Sequence, residues 1–374
     1  MGKHWLDGLW YFDDFKFAIH EIKGETAIWK TLAYFDYPDM DFNGTPGTIK
    51  YGSFGETSVE VKEVTGAEIY NVEIILWGGS LVRKGVVSED GKTITGPHCM
   101  GAPQPVVGKW LDQEGLKALL DDREDIYNMT CPYPKNPENQ GKLLWMSGPP
   151  GNFSQTNQLL LVHFSIHIFP GAGKSTTAQL FAKNHGFVYY EADCFMSQLN
   201  PYIPLDLPEP SMAQMNQKCV TGLSKEALMA VFKGVDELPK FAEGKCDPEV
   251  MKGWYTEMAK DILKEKKKIG GSWAVAQAIS SREFRDVIRK ILGDQCIFVI
   301  LKLSEETNAA RLESRHADMD EDTKKTMVDM LNGMHKMYEP AGEDEDSAVD
   351  VEIGPDMDRA AVVKAVLEKV QKYL

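Results

Sequence analysis

The chain has 374 residues, with 41 Lys and Arg against 56 Asp and Glu, which gives a formal net charge of −15. This length exceeds one ordinary domain, so two domains are expected. An acidic surface repels phosphate backbones and anionic lipid headgroups, which argues against nucleic acid or a membrane surface as a partner. One basic pocket for a small anion is compatible with this charge.

The six cysteines lie far apart, and none has the Cys/His spacing of a metal site. Reduced thiols in a cytoplasmic protein are therefore the expectation. The first residues show no basic run followed by an apolar core, so no signal peptide is expected. The longest apolar run, residues 159–169, is shorter than the roughly 20 residues that a membrane span needs. These features predict a soluble protein.

Residues 1–108 are predicted to form a small β-rich domain. Short apolar stretches alternate with glycine, a spacing typical of an antiparallel barrel or a sandwich. Asp90-Gly91 predicts a tight type I′ hairpin turn, because glycine supplies the positive φ that this turn needs. The triplet Gly8-Leu9-Trp10 resembles the opening of lipocalin-like barrels. Three residues do not assign a ligand, so a barrel without one is the expectation and a bound hydrophobic ligand is the alternative.

Residues 109–140 are predicted to hold a helix, near 112–126, and a proline-rich linker that contains the domain boundary. From 141 to 374, apolar strands alternate with helices, which is typical of a parallel sheet with helices on both faces. The expected strands are 142–147, 187–192, 273–279, 296–303 and 348–353, and the expected helices are 174–185, 212–233, 248–268 and 357–373. The predicted fold class is therefore α/β.

Two separated segments together match the P-loop pattern G-x-x-x-x-G-K-[ST]. The first closes a strand and the second opens a helix; their residues are Gly148, Pro149, Pro150 and Gly151, then Ala172, Gly173, Lys174, Ser175 and Thr176. Glycines in such a loop let backbone N–H groups face the phosphates, and the helix N-terminus favours negative charge. The Lys174 ammonium is expected to contact the β- and γ-phosphates of ATP, and the Ser175 hydroxyl is expected to bind Mg²⁺.

Twenty residues, 152–171, interrupt this motif and contain no Asp, Glu, Lys or Arg. The Gly151-Asn152 codons can carry a 5′ splice signal, and the codons for Phe169 to Gly171 can carry a 3′ one. Removal would keep the reading frame and leave one glycine codon. We therefore hypothesise that 152–171 is an unspliced intron in the gene model; a true insertion is the alternative. As written, the interruption is expected to weaken nucleotide binding.

The segments GPPG and AGKSTTAQLFAKNHGFVYYEAD, the helix that contains Arg311 and Arg315, and the last strand and helix resemble the P-loop small-molecule kinases. That group includes the adenylate kinase, gluconokinase, shikimate kinase and adenylylsulfate kinase families. The resemblance covers residues 141–374 and implies a five-stranded parallel sheet that uses ATP and Mg²⁺ to phosphorylate a small-molecule acceptor. It also implies that Arg311 and Arg315 lead into a lid whose arginines stabilise the transferring phosphoryl group. Surface ion pairs are the alternative for this arginine pair.

Glu191 and Asp193 stand at the end of the second strand of this domain. The carboxyl ends of parallel strands face the ligand crevice, so Asp193 is predicted to meet the acceptor or the metal. A carboxylate there can accept the proton of the acceptor hydroxyl. Strand alternation places Glu191 on the same face, which makes it a second acceptor-binding candidate. Capping of the following helix is the alternative for both residues.

Arg282 and Arg285 follow the third strand, and their spacing puts them on one helical face. They are candidates for binding an anionic acceptor; a solvated helix face is the alternative. The third strand ends Ala-Gln-Ala-Ile-Ser, without the Walker B carboxylate of a motor ATPase. The acidic run 343–346 is expected to be an exposed loop.

The sequence therefore predicts an ATP-dependent kinase for a small metabolite, with an N-terminal β domain of unassigned role. Two alternatives stay open. The first is a catalytically inert nucleotide-binding or regulatory protein with a genuinely interrupted P-loop. The second is an NTPase that transfers phosphate to water alone.

Overall fold

The computed structural model places the described residues in two compact units. The described residues are 5–13, 18–32, 35, 53–63, 72–76, 81–97, 105–122, 131–147, 173–197, 200–203, 223–242, 245–279, 281–304, 307 and 338–374. The first unit contains those up to Cys131, and the second contains those from Pro132 onward.

The first unit is a closed antiparallel barrel of eight strands, each paired with its neighbour in sequence. The strands are β1 (Gly8–Phe12), β2 (Ala18–Lys23), β3 (Thr26–Thr31), β4 (Ser53–Glu63), β5 (Val72–Leu76), β6 (Leu81–Val87), β7 (Thr93–Gly96) and β8 (Val106–Leu111). Pairing of β1 with β8, in the register Trp10 to Trp110, closes the barrel. The barrel prediction is confirmed, and the sandwich alternative is wrong. Helix α1 (Gln113–Asp121) follows, with Asp112 accepting a hydrogen bond from the Gly115 amide.

Alternating side chains of these strands point inward and form an apolar core. Trp10 is fully buried, and its indole N–H donates to the Leu6 carbonyl at 2.7 Å. The core also contains the buried side chain of Arg83. Its guanidinium lies 4.2 Å from the centre of the Phe12 ring, which allows a cation–π contact. Burial, and then the charge of Arg83, hold the pKa of buried His20 well below its ordinary value. A bound hydrophobic ligand stays the untested alternative for this barrel.

The second unit is built on a five-stranded parallel sheet. Its strands are β9 (Leu143–Ser147), β10 (Val188–Glu191), β11 (Trp273–Ala276), β12 (Cys296–Leu303) and β13 (Ala348–Ile353), in the spatial order β10-β11-β9-β12-β13. All four neighbouring pairs are parallel. The three strands β9, β10 and β11 are buried throughout, as expected for a sheet covered on both faces. The predicted α/β class is confirmed.

Helices lie against both faces of this sheet. They are α2 (Lys174–His185), α3 (Asp193–Ser197), α4 (Lys225–Ala242), α5 (Pro248–Ile269), α6 (Arg282–Leu292) and α7 (Arg359–Val370). On one face, Leu144 and Met146 pack with Phe181 of α2 and Val366 of α7. On the other face, the Tyr190 hydroxyl donates to Asp261 of α5 at 2.8 Å. In the part of the chain that the structure describes, no helix is long and apolar enough to cross a membrane.

Several expected boundaries differ from the structure. Strand β8 continues to Leu111, so the expected domain end at residue 108 divides a strand. The proline-rich segment belongs to the second unit: Tyr133 accepts a hydrogen bond from the Tyr189 amide, and the Asn136 amide donates to Ile269. The expected two-residue turn at Asp90-Gly91 is instead a loop between Val87 and Thr93, in which Asp90 accepts from Ser88 and from the Lys92 amide.

Candidate functional site

Three strand ends meet at one edge of the parallel sheet. In the strand register, Glu191 of β10 pairs with Ala276 of β11, which pairs with Met146 of β9. The carboxyl ends of these strands therefore lie side by side, and α2 begins at the same edge after the P-loop segment. Ligands of open α/β sheets bind at this kind of edge.

The N-terminus of α2 suits a bound anion. Gly173 precedes the helix with a φ of 83°, in the left-handed region that glycine adopts without a steric penalty. Among the described residues no side chain caps the helix, and its first turn contains no acidic residue. Its first amide groups and the positive end of its dipole are therefore available to phosphate oxygens. Ser175 and Thr176, partly exposed, follow Lys174 on this first turn.

Lys174, Glu191 and Asp193 are brought together in a buried cluster. Lys174 is 6% exposed and Glu191 is 2% exposed. Burial lowers the pKa of Lys174, although the charges of Asp193 and Glu191 oppose this shift. Asp193 is partly exposed. A buried ammonium group beside two carboxyl groups can neutralise the negative charge of a transferred phosphate.

Both carboxyl groups of this cluster resist ionisation. Burial raises the pKa of Glu191, and the neighbouring charge of Asp193 raises it further, while hydrogen bonds from Tyr189 and Ser175 oppose the shift. The Tyr189 hydroxyl donates to Oε2 of Glu191 at 2.7 Å. Burial also raises the pKa of Asp193, against the charge of Lys174 and a hydrogen bond from Gln277. A carboxylate with a raised pKa is a stronger base, which suits proton transfer from a hydroxyl.

The oxygen atoms at this edge fit a hydrated Mg²⁺ ion. Oε1 of Glu191 and Oε1 of Gln277 are buried and have no hydrogen-bond partner among the described residues. Metal-bound water could donate to both. Mg²⁺ usually keeps several waters and binds one or two carboxylates together with substrate phosphates. Ser175 and Asp193 supply such oxygen ligands, and the described residues contain no cluster of three or more His, Cys, Asp or Glu that would form a protein-only metal cage.

Arg282 and Arg285 have protein partners in the structure. The Arg282 guanidinium donates to both carboxylate oxygens of Asp344, at 2.7 and 2.9 Å. Arg285 is fully buried, and each of its three nitrogens donates, to Glu345 and to the carbonyls of Glu339 and Pro340. The solvated helix face is therefore wrong for Arg285. These contacts favour a structural role, and the acceptor site that we propose lacks both arginines.

Glu345 corrects the expectation for the acidic run 343–346. Glu343, Asp344 and Asp346 are exposed, but Glu345 is only 4% exposed. Burial alone would raise its pKa, yet hydrogen bonds from Arg285 and Arg289 outweigh burial and lower the pKa to about 2. Glu345 therefore holds α6 in place through ion pairs with Arg285 and Arg289. The run of acidic residues in the sequence did not indicate this role.

The remaining predicted site residues lie outside the described residues. They are the first P-loop segment Gly148, Pro149, Pro150 and Gly151, the interruption 152–171, Ala172, and the arginines Arg311 and Arg315. Two residues that the sequence interpretation missed are Tyr189 and Gln277. Strand alternation could have found Tyr189, because it shares a face with Glu191.

No protein-family model and no curated protein matches this chain. The solved structures that are similar to it include two bacterial kinases. A gluconokinase from Sinorhizobium meliloti 1021 has 15% sequence identity and a TM-score of 0.38, over 63% of this chain and 94% of that one. A sugar kinase from Janibacter sp. HTCC2649 has 14% identity and a TM-score of 0.33, over 62% and 95%. These scores are too low to assign a function, which has to come from the geometry of the site.

Proposed function

We propose that the second unit transfers the γ-phosphoryl group of ATP to a hydroxyl group of a small molecule. The observation that carries this proposal is the buried cluster of Lys174, Glu191 and Asp193 at the carboxyl edge of the sheet, beside an uncapped helix N-terminus. A cation for the phosphates, a carboxylate base for the hydroxyl proton and amides for an anion are the groups that such a transfer needs. The P-loop pattern around Lys174 supports the same reaction.

In this mechanism, the phosphates of ATP bind the first amides of α2, and Lys174 holds the β- and γ-phosphate oxygens. Ser175, with Asp193 as a further candidate ligand, would hold Mg²⁺, which when bound neutralises charge on the phosphates. The acceptor oxygen forms a bond to the γ-phosphorus while the bond from phosphorus to the β,γ-bridging oxygen breaks. The proton of the acceptor hydroxyl passes to Asp193, and ADP leaves. Arg311 and Arg315 stay proposals as further stabilisers of the phosphoryl group.

Replacement of Asp193 by asparagine tests the proposed base. The Asp193→Asn variant should transfer phosphate about 10²- to 10⁴-fold more slowly, because an amide cannot accept the hydroxyl proton. Its affinity for Mg-ATP should change far less. The measurement is ADP release from Mg-ATP with a panel of sugar acids, sugars and nucleotides, together with calorimetric ATP affinity.

Asp356→Asn makes the same chemical change at an exposed site of the same unit, and should leave the rate unchanged. An Asp193→Asn rate equal to that of the unaltered chain would remove Asp193 as the base. ATP hydrolysis that no acceptor accelerates would instead favour an NTPase.

A catalytically inert, regulatory nucleotide-binding protein is the second candidate function. The specific observation that favours it is the interruption 152–171, which separates the two parts of the P-loop motif. In that case the barrel unit would perform the main task. Absence of Mg-ATP binding both with and without residues 152–171 would support this second candidate.

A further inference from the structure

Gln277 is buried at the centre of the site but belongs to no sequence motif. It directly follows β11, the strand between β10 and β9. Its backbone amide donates to the Met146 carbonyl on β9 at 3.2 Å, and the residue is 2% exposed. The side chain therefore starts from a fixed backbone position, between the P-loop strand and the strand that leads to Asp193.

The orientation of the Gln277 amide follows from its contact with Asp193. A hydrogen bond from Gln277 lowers the pKa of Asp193, against the effect of burial. A bond that lowers the pKa favours the ionised carboxylate, which only accepts, so the amide donates to it through Nε2. Oε1 then lies on the other branch of the amide, and it is buried with no partner among the described residues. Oε1 of Glu191 is likewise buried without a partner among the described residues.

A buried acceptor oxygen without a donor is unfavourable, and native proteins rarely keep one that has no use. The orphan oxygen of Gln277 lies beside the proposed base, and no N–H or O–H group of the described residues donates to it. An amide at this strand end can accept such a bond without adding a third negative charge next to Glu191 and Asp193, which a carboxylate would add.

We propose that Gln277 is a positioning residue for phosphoryl transfer: its Nε2 holds the Asp193 carboxylate, and its Oε1 accepts a hydrogen bond from an O–H group of the bound reactants. The O–H group belongs either to the acceptor or to a water on the metal ion, which present the same chemistry to the amide. This inference rests on the proposed function, because both sources require the reactants of phosphoryl transfer.

The test compares Gln277→Leu with the unaltered chain, in whichever form binds Mg-ATP, with or without residues 152–171. Leucine has a similar volume and removes both the donor and the acceptor. We expect the folded state without ligand to be no less stable by thermal unfolding, since the orphan oxygen is gone, while phosphoryl transfer falls about tenfold or more. If Gln277 has only a structural role, the variant should instead be less stable and should transfer phosphate at an unchanged rate.

Two binding measurements separate the two sources of the O–H group. The affinity of Mn²⁺ for the complex with a non-hydrolysable ATP analogue, followed by electron paramagnetic resonance, should fall about tenfold if metal-bound water is the donor. If an acceptor hydroxyl is the donor, the Mn²⁺ affinity should stay constant and the KM of the most active acceptor of the panel should rise about tenfold. Gln371→Leu is the matched control, because Gln371 is exposed and far from the site in sequence.

A second variant keeps the inference falsifiable if Gln277→Leu does not fold. Gln277→Glu keeps an accepting oxygen but places a carboxylate against Asp193, so transfer should fall while Mn²⁺ affinity is retained. If the folded variants equal the unaltered chain in transfer rate, Mn²⁺ affinity and acceptor KM, this result would overturn the proposed role of Gln277. It would leave the proposed function standing. If the unaltered chain neither binds Mg-ATP nor transfers phosphate, the proposed function fails, and this inference fails with it.

Discussion

Lys174 is the residue on which the proposed chemistry depends most. Its ammonium group is buried between an uncapped helix N-terminus and two carboxyl groups, and burial lowers its pKa. A buried ammonium group is costly unless negative charge compensates it. Glu191 and Asp193 supply part of that compensation, and the phosphates of ATP would supply the rest.

Lys174→Ala should reduce phosphoryl transfer about 10²-fold or more, because the γ-phosphate loses its buried cation. The measurement is the initial rate of ADP release with saturating Mg-ATP. Lys183→Ala is the control: Lys183 lies near the other end of the same helix and is exposed, so its removal should leave the rate unchanged. A Lys174→Ala variant that retains most of its activity would exclude the kinase assignment.

At the residue scale, sequence reasoning named the members of the proposed site that belong to a motif or are charged, and missed Tyr189 and Gln277. Lys174, Ser175, Glu191 and Asp193 stand at strand or helix ends that the apolar pattern and the P-loop residues locate. Gln277 stands at an equivalent strand end, but an amide matches no catalytic motif. Its importance comes from its contact with Asp193, which depends on β11 lying beside β10.

At the scale of elements, α6 is held by a buried ion pair instead of by an apolar contact alone. Arg285 and Glu345 have side chains that are 0% and 1% exposed, and Nε of Arg285 lies 2.8 Å from Oε1 of Glu345. Arg289 also donates to Glu345, and the Arg285 guanidinium holds the backbone at Glu339 and Pro340. The network connects α6 to the chain just before β13.

Glu345→Gln should destabilise this part of the second unit by about 3 kcal/mol, because a buried guanidinium loses its paired charge. Faster hydrogen exchange in α6 and β13 would report the loss. Glu343→Gln removes an exposed carboxylate two residues away and should have little effect. Equal exchange rates in the Glu345→Gln variant and the unaltered chain would show that the ion pair contributes no net stability.

The ion-paired carboxylate of Glu345 is expected to make the free energy of unfolding depend on pH. The pKa of Glu345 is about 2 in the folded state, against an ordinary value of 4.5. Since the folded pKa is depressed, the unfolded chain binds the proton first as the pH falls. The stabilisation by Glu345 is therefore complete above about pH 4.5 and is lost between that pH and about 2. The difference in unfolding free energy between the unaltered chain and Glu345→Gln should shrink over this interval; a constant difference would contradict the ion-pair account.

The apolar pattern predicted most elements of the second unit closely. The bounds expected for α2, β12 and β13 agree with the structure, because each is an apolar or amphipathic run with clear ends. Helix α4 was expected to end at residue 233 but continues to Ala242. Gly234 normally signals a helix end; here a Cβ would lie 3.1 Å from the Trp254 ring, so glycine permits close packing of α4 on α5.

At the scale of the whole molecule, the sequence predicted two domains of different class. Closure of the barrel could not be predicted, because it depends on β1 pairing with β8 across the whole first unit. The partners of Arg282 and Arg285 could not be predicted for the same reason, since Asp344 and Glu345 lie about sixty residues further along the chain. The local spacing of apolar residues identifies helices and strands. Contacts between segments far apart in sequence can be identified only once the fold is known.

The two units differ in where they bury polar groups. The barrel core is mostly apolar, with His20 and Arg83 also buried in it. The second unit buries Lys174 and Glu191 at the carboxyl edge of its sheet, at a cost in stability. Ligands of open α/β sheets bind at such an edge, which favours the second unit as the place of the proposed chemistry.

Calorimetric titration of Mg-ATP into two forms of the protein, the chain as given and the chain without residues 152–171, tests the central claim most directly. We predict binding in the form without 152–171, with a Kd between about 1 µM and 1 mM, and weaker or no binding in the chain as given, because the interruption separates Gly151 from Ala172. Lys174→Ala in the shortened form should abolish the signal. Equal binding by both forms would mean that the P-loop tolerates the interruption. Absence of binding in the shortened form would contradict the claim that this site binds ATP for phosphoryl transfer.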